Sequence, residues 1–432
     1  MFGGGQFNGG GRSNNFTGGQ PSNNYRGGGG GRQSGRGGRG RGGRNSGGYN
    51  PSQGGLPSNQ EEPPTYGICN FDVRGGNCKN GPNCRFVHNL AAVAFTIPMQ
   101  QQGQEPLPVK TLALLNMPDG PKVLSGSTDG NVKVWNLASE KPEQDVQSLP
   151  TTGVVEHIEV SGSSILWSVD EPISPELPDN TVGMVYLLNT TDMSSIAIKR
   201  SEEFPYTHPF GEIRSFTIAV LDGVTFVITA GGEGLIRTWR FDAAKGAFEQ
   251  IMVLEGHIRA VTCVLLNGGI LWSGSVDSTI RVWDLASGKC AATLSAIGGA
   301  GGHTDAVSCL EFIPNAGAEA FIASGSADKT VKLWKASGGE LMHTCTHSSM
   351  VTALKAFRDT MGGIQVLVVG LLEGTIVIRS CVSMKVLFYL DQSISRTKAI
   401  WSIVDLGQSC FGTGSDDGNI VVWKINSALA DK

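Results

Sequence analysis

Four residues within one short stretch, Cys69, Cys78, Cys84 and His88, are spaced Cys-x8-Cys-x5-Cys-x3-His. Three soft thiolates and one imidazole form a closed tetrahedral donor set, the usual coordination of a structural Zn2+ ion, with no open position for catalysis. Turn formers fill the intervals (Gly75, Gly76, Asn77, Asn80, Gly81, Pro82 and Asn83), as a short metal-stapled loop requires. Upstream, Arg26-Gly27-Gly28, Arg36-Gly37-Gly38 and Arg41-Gly42-Gly43 alternate with Arg39, Arg44 and scattered Phe and Tyr residues. Guanidinium groups bridge phosphates and stack on bases, while glycine lets the backbone follow an irregular strand. That is chemistry for contacting single-stranded RNA with little sequence preference. Further on, His257, Ser273 and Asp277 and then His303, Ser324 and Asp328 offer the residue types of a hydrolase. They recur once per repeat, and no Gly-x-Ser-x-Gly elbow accompanies them, so no catalytic residue is assigned. His343-x-Cys345-x-His347 is read as strand alternation in preference to a metal site.

These residues need scaffolds of three kinds. The first 60 residues hold 23 glycines and seven arginines and no acid before Glu61, which leaves too little apolar surface to offset chain entropy; residues 1–62 are expected to be a disordered arm. Residues 63–90 would form the zinc finger and 91–432 the body. Charge divides at the same place: the first 90 residues carry 10 Lys+Arg against 3 Asp+Glu (+7), and the remaining 342 carry 24 against 35 (−11). A basic arm that seeks polyanions on an acidic body that does not is the implied arrangement. The longest apolar stretch, Ile364–Leu372, stops at Glu373, short of the ~20 residues that span a bilayer, and Met1 leads into Gly, Asn and Gln with no apolar signal core. An intracellular protein with reduced cysteines and no membrane partner is expected.

The body repeats at 44–53 residues. Each copy reads small-Gly-small-x-Asp, then a short alternation that usually ends in Trp: Ser125 to Asp129 and Trp135, Ser273 to Asp277 and Trp283, Ser324 to Asp328 and Trp334. Gly412-Thr413-Gly414-Ser415-Asp416 leads to Trp423 and Ala230-Gly231-Gly232-Glu233-Gly234 to Trp239, while weaker copies end near Leu188 and Arg379. Seven copies of a few short strands each cannot bury their own faces and must stack around an axis. Ala91–Ile97 is expected to pair beside Ile420–Trp423 and close the ring. In the second copy, Asp170–Asp179 holds three prolines and four acids and is read as an exposed loop.

At these residues the repeats resemble the WD40 family, with Gly256-His257 and Gly302-His303 where it has Gly-His and Trp283-Asp284 as a literal Trp-Asp. The resemblance implies a mostly β chain, a seven-bladed propeller, and a buried network of His257, Ser273, Asp277 and Trp283 in one blade and His303, Ser324, Asp328 and Trp334 in the next. The Cys69–His88 stretch is similar to CCCH fingers that bind single-stranded RNA. Phe86 matches one stacking aromatic of that family, Arg74, Lys79 and Arg85 supply charge, and Asn80 stands where a second aromatic would. A finger followed by seven repeats looks like plant CCCH zinc finger/WD40 proteins with an added Arg/Gly-rich arm. The implied function is a nuclear, secondarily cytoplasmic, RNA-binding adaptor with one structural Zn2+, whose propeller recruits proteins and takes no small-molecule substrate. Alternatives are a DNA- or chromatin-associated adaptor using the same finger, and a purely protein-binding scaffold such as a ubiquitin-ligase substrate receptor.

Overall fold

The computed structural model describes Lys79, residues 91–98, and residues 107–425 apart from 119, 138–148, 151–152, 163, 175–176, 191–194, 200–206, 209–210, 298, 300, 315–318, 359–364, 382 and 391–396. Among these residues every regular element is a strand, and the strands form seven four-stranded antiparallel sheets. Blade 1 is Val109–Met117, Gly120–Ser127, Asn131–Asn136 and Leu149–Pro150; blade 2 is Val154–Ser161, Ser164–Ser174, Leu177–Asn189 and Ser195–Ile198. Blade 3 is Ile213–Leu221, Val224–Gly231, Ile236–Asp242 and Ala247–Leu254; blade 4 is Val261–Asn267, Ile270–Ser275, Ile280–Asp284 and Lys289–Leu294. Blade 5 is Val307–Ile313, Phe321–Ser326, Thr330–Lys335 and Leu341–Thr346; blade 6 is Val351–Arg358, Gln365–Leu371, Ile376–Ser380 and Val386–Leu390. Blade 7 takes Ile400–Gly407, Cys410–Ser415 and Asn419–Ile425 from the end of the chain and Ala91–Pro98 from before blade 1.

First strands of successive blades touch all the way round, and that of blade 7 touches that of blade 1, so the ring is closed and these strands line its axis. Closure is by backbone pairing: Val93 pairs with Trp423, Thr96 with Val421 and Ile97 with Ile420, as expected of a segment lying just before the first repeat. Pairing Ala91–Pro98 here also removes the open edge that the last blade would otherwise present. Between blades the core is built from alternate residues of facing sheets, with Trp239, Trp283, Trp334 and Trp423 at most 2% exposed. Hydroxyl groups of the lining strands stitch neighbours together. Thr111 accepts from the Ile158 N–H at 3.0 Å, Ser215 from Val264 at 3.1 Å and Ser402 from Leu112 at 2.9 Å, and Ser308 donates to the Val351 carbonyl at 2.5 Å.

Two expectations need correction. Asp170–Asp179 is not a loop: Glu171 pairs with Val182, Pro172 with Thr181 and Ser174 with Leu177, so the two middle strands of blade 2 run on as a β-ribbon. The flanking strands stop at Val154↔Asp170 and Val185↔Ile198. A two-stranded ribbon has an unpaired edge on each strand, and proline loses nothing where no partner waits for its missing N–H. The foot of the ribbon is braced by Gly183 and His208, which exchange backbone hydrogen bonds of 3.0 and 2.9 Å. In blade 7 the turn acid is Asp417, one residue beyond the Asp416 of the sequence pattern: Asp417 Oδ1 accepts from the Asn419 N–H at 3.0 Å. Two adjacent aspartates made the register ambiguous, and the hydrogen bonds decide it.

Candidate functional site

In blade 4, four side chains from three segments meet below one turn. Ser273 Oγ lies 2.9 Å from Trp283 Nε1 and 2.7 Å from His257 Nε2, and His257 Nδ1 lies 2.9 Å from Asp277 Oδ2. One set of proton positions satisfies all of them: the indole donates to Ser273, the Ser273 hydroxyl to His257 Nε2, and His257 Nδ1–H to the carboxylate. Asp277 also accepts from the Ile258 N–H (3.1 Å), the Thr279 N–H (2.9 Å) and the Thr279 hydroxyl (2.6 Å). Burial alone would raise its pKa, but these donors, His257 foremost, hold it well below the usual carboxylate range. Blade 5 repeats the geometry with His303, Ser324, Asp328 and Trp334, at 2.9 Å for His303–Asp328, 2.7 Å for His303–Ser324 and 2.8 Å for Trp334–Ser324. With the hydroxyl locked between an indole and a histidine, and His257 and His303 8% and 1% exposed, this arrangement ties loops to strands.

Blade 3 holds a third such network that the sequence reading missed. His208 Nε2 is 2.8 Å from Thr229 Oγ1, which also takes the Trp239 Nε1–H at 2.9 Å, and Glu233 stands in place of the turn Asp, 3.5 Å from His208 Nδ1. The signal was present, a Thr and a Glu at the Ser and Asp positions and a His ahead of them, but it departs from Gly-His. Blade 6 breaks the pattern: Arg379, 2% exposed, takes the Trp position opposite Leu367, and its guanidinium donates to the Met384 carbonyl at 2.6 Å. His347 is pushed down to about 3 by burial and by Arg379. The four basic residues two places before a blade-ending Trp are engaged inside their blades. Lys133 meets Asp129 (2.8 Å), Arg237 meets Glu233 (2.7 Å), Lys332 donates to Thr344 (3.3 Å), and Arg281 lies over the Trp283 ring at 5.9 Å.

Because histidine loops and acid turns are hydrogen bonded to each other, both mark one face of the ring. The channel of about 600 Å³ opens there between Lys110, Glu156, Glu212, Arg214 and Trp401. Lys110 Nζ sits 4.5 Å from the Trp401 ring centroid, and the Trp401 indole donates to Asp416 at 2.9 Å. Arg214 is ion-paired with Glu212. Burial, then Glu156 and Glu212, push the neighbouring Asp170 up to about 7. Glu156 is raised too, by burial first and by Glu212, against Lys110 and Arg214. Further along the bore, Glu311 pairs with Lys355 at 3.0 Å, and burial pushes Glu159 up to about 7 although it accepts from the Thr217 hydroxyl at 3.2 Å. His157 is held down to about 4 by burial, edge-on to Phe216 with centroids 4.6 Å apart.

The zinc donor set Cys69, Cys78, Cys84 and His88, together with Phe86, Arg74, Arg85, Arg26, Arg36, Arg39, Arg41 and Arg44, lies outside the described residues; Lys79 is an exposed turn residue. Among the described residues no group of three or more His, Cys, Asp or Glu could hold a metal ion.

The WD domain, G-beta repeat model matches residues 101–136, 248–284 and 288–335. Zinc finger CCCH domain-containing protein 17 of Oryza sativa subsp. japonica is 32% identical over 51% of this chain and 44% of its own length. Zinc finger CCCH domain-containing protein 59 of Arabidopsis thaliana is 28% identical over 54% and 43%. F-box/WD repeat-containing protein sel-10 of Caenorhabditis elegans is 35% identical over 25% of this chain and 16% of its own. The chain spans less than half the length of these relatives.

Proposed function

From a chain that carries WD40 repeats in a seven-bladed propeller and is similar to plant CCCH zinc-finger proteins, we propose a non-enzymatic adaptor that holds single-stranded RNA and recruits proteins. The observation that carries this reading is the complete donor set Cys69, Cys78, Cys84 and His88 in a chain similar to CCCH proteins. Three thiolates and an imidazole fit one tetrahedral Zn2+, which would fold residues 63–90 and present Phe86 beside Arg74, Lys79 and Arg85. Residues 1–62 would add salt-sensitive affinity through arginine, and residues 91–432 would hold partners. A nuclear location follows from this reading, with the cytoplasm as a second compartment.

The test is a titration of single-stranded RNA and duplex DNA with the full chain, Cys84→Ser and Phe86→Ala. Stacking is worth ~1–3 kcal/mol per base, so Phe86→Ala should retain zinc and weaken RNA about tenfold, while Cys84→Ser should lose zinc and finger together. Equal RNA affinity in Phe86→Ala would overturn the contact surface, and preference for duplex DNA would favour a chromatin adaptor. Similarity to an F-box/WD repeat protein supports a second reading, a ubiquitin-ligase substrate receptor. Absence of RNA crosslinking to the full chain in cells would select it.

A further inference from the structure

The strand Ala91–Pro98 fixes where the zinc-donor stretch joins the ring. Its last residue, Pro98, pairs with Asn419, beside the turn whose Asp417 marks the histidine-loop face, and its first, Ala91, pairs with Ile425 at the opposite face. There the Ile425 N–H donates at 2.8 Å to the carbonyl of Ser409, in the turn between the first two strands of blade 7. A register shift between Val93 and Phe95 gives the two halves of the strand different neighbours. Ala91 and Val93 join the core that holds Phe388 and Leu390 of blade 6, and Ile97 joins that of Val109 and Trp135 of blade 1. The chain therefore enters at the seam of blades 6 and 7, on the face away from the histidine loops. Asn89 and Leu90 alone separate His88 from Ala91, and three steps of fully extended chain reach at most about 11 Å. The last zinc donor cannot leave that corner.

Two exposed bases stand at this corner. Lys424 pairs across the strands with Ala92. Lys385 ends the hairpin between the third and fourth strands of blade 6, two residues before Leu387, which packs in the same core as Ala91. Among the described residues neither lysine is in an ion pair, whereas elsewhere on this face Arg240 and Lys245 meet Glu249, and Lys335 meets Glu340. We propose that RNA held by the finger passes over this corner, with Lys385 and Lys424 taking its phosphates, so that the finger works from the face opposite the histidine loops. This rests on the reading of residues 63–90 as an RNA-binding finger. Two lysines on a body of net charge −11 are too few to gather RNA by themselves. The short tether supplies what they lack, because a strand already held beside them meets them at a high local concentration. The histidine-loop face is left uncovered, so RNA and a protein on that face are held together without competing.

The test uses the full, zinc-loaded chain and a labelled single-stranded RNA hexamer of random sequence. p-Benzoylphenylalanine takes the place of one exposed lysine at a time, and binding is measured in the same samples. The probe at Lys385 or Lys424 should crosslink the hexamer on irradiation. Lys398 precedes the first strand of blade 7 on the histidine-loop face, and Lys289 shares the face of Lys385 but lies across the ring in blade 4. A probe at either should give at least about tenfold less product. Lys385→Ala with Lys424→Ala should reduce the slope of log K against log salt by about 1.4, the share of two phosphate contacts on a single strand. Lys289→Ala with Lys398→Ala should leave the slope unchanged. An insertion of about twenty Gly and Ser residues between Leu90 and Ala91 should keep zinc bound and lower crosslinking from Lys385 and Lys424 about twentyfold, as the −3/2 power of tether length requires. Equal labelling from Lys398 or Lys289, or labelling that survives the insertion, overturns the placement. A hexamer that binds without labelling Lys385 or Lys424 overturns it too, while leaving the finger as the RNA site. If the full chain binds no hexamer, the RNA reading itself falls, and this inference with it.

Discussion

Ser273 shows how much one hydroxyl can hold: it accepts from Trp283 and donates to His257, which orients Asp277 over the turn. Ser273→Ala strands a buried indole N–H and an imidazole nitrogen, and each unmet group costs ~1–3 kcal/mol. Urea unfolding should show a loss of about 2–4 kcal/mol, while Ser273→Thr should cost little, since Thr229 and Thr413 hold Trp239 and Trp423 in this way. Asp277 and Asp328 also give the fold an acid limit. Their folded pKa values are depressed, so the stability they contribute is present above the unfolded value near 4 and is lost as pH falls below it. The urea midpoint should fall between pH 5 and pH 3, less steeply in Asp277→Asn/Asp328→Asn. Asp170 has the opposite sign. Its carboxyl keeps a proton up to about 7 in the folded chain, so its ionisation subtracts stability as pH rises from about 4 through 7. Asp170→Asn should therefore raise Tm more at pH 8 than at pH 4; an equal shift at both would mean that the carboxyl is not perturbed.

Among the elements, the turn after the second strand of blade 1 and of blades 3 to 7 needs one left-handed residue. Gly130, Gly234, Gly374 and Gly418 supply it with φ of 76°, 75°, 89° and 74°, but blades 4 and 5 place Ser278 and Lys329 there, both at 67°. A side chain in this region carries strain of roughly 1 kcal/mol, so Lys329→Gly should raise stability by up to about that amount. Gly234→Ala should cost more than Lys329→Gly gains, because its Cβ would also lie 2.9 Å from the Arg259 carbonyl and 3.1 Å from that of His257. Equal melting of Gly234→Ala and the unaltered chain would show that the turn can relax. The closing strand is a larger matter. Ala91 and Ile97 are each 1% exposed, and their strand covers Trp423 and Ile420, so removing residues 1–98 uncovers a sheet edge and a buried face together. Light scattering should show association and calorimetry a lower Tm; a monomer of unchanged Tm would mean that blade 7 is complete with three strands.

For the whole molecule, the decisive quantity is the separation of charge. With −11 on residues 91–432 and the blade-ending basic residues engaged within their blades, the propeller is expected to repel phosphate. Residues 91–432 alone should fold without added zinc, keep the protein partners of the full chain and bind no RNA at physiological salt. Micromolar RNA binding by that fragment, lost when Lys133, Arg237, Arg281 and Lys332 become Glu, would move the nucleic-acid site from finger and arm to scaffold.

Whatever is local and repeated could be read from the chain itself. The small-Gly-small-x-Asp unit returns often enough to count seven blades even where copies two and six decay. The networks of blades 4 and 5 were legible because Gly-His, Ser, Asp and Trp keep a fixed order, and that of blade 3 was missed because Thr229, Glu233 and His208 perform the roles with other side chains. Tertiary structure alone decided the rest. Lys110, Glu156, Arg214 and Trp401 are about fifty residues or more apart along the chain and share no motif; closure of the ring brings them to one channel mouth, where burial and like charge shift the carboxyls. The prolines of Asp170–Asp179 argued for a loop because sequence cannot say that a strand will have a free edge, and adjacent Asp416 and Asp417 were told apart only by which one met Asn419 and which met Trp401. Local propensity and spacing act within a few residues, whereas which charges become neighbours, and which edges stay unpaired, is set by the closed ring.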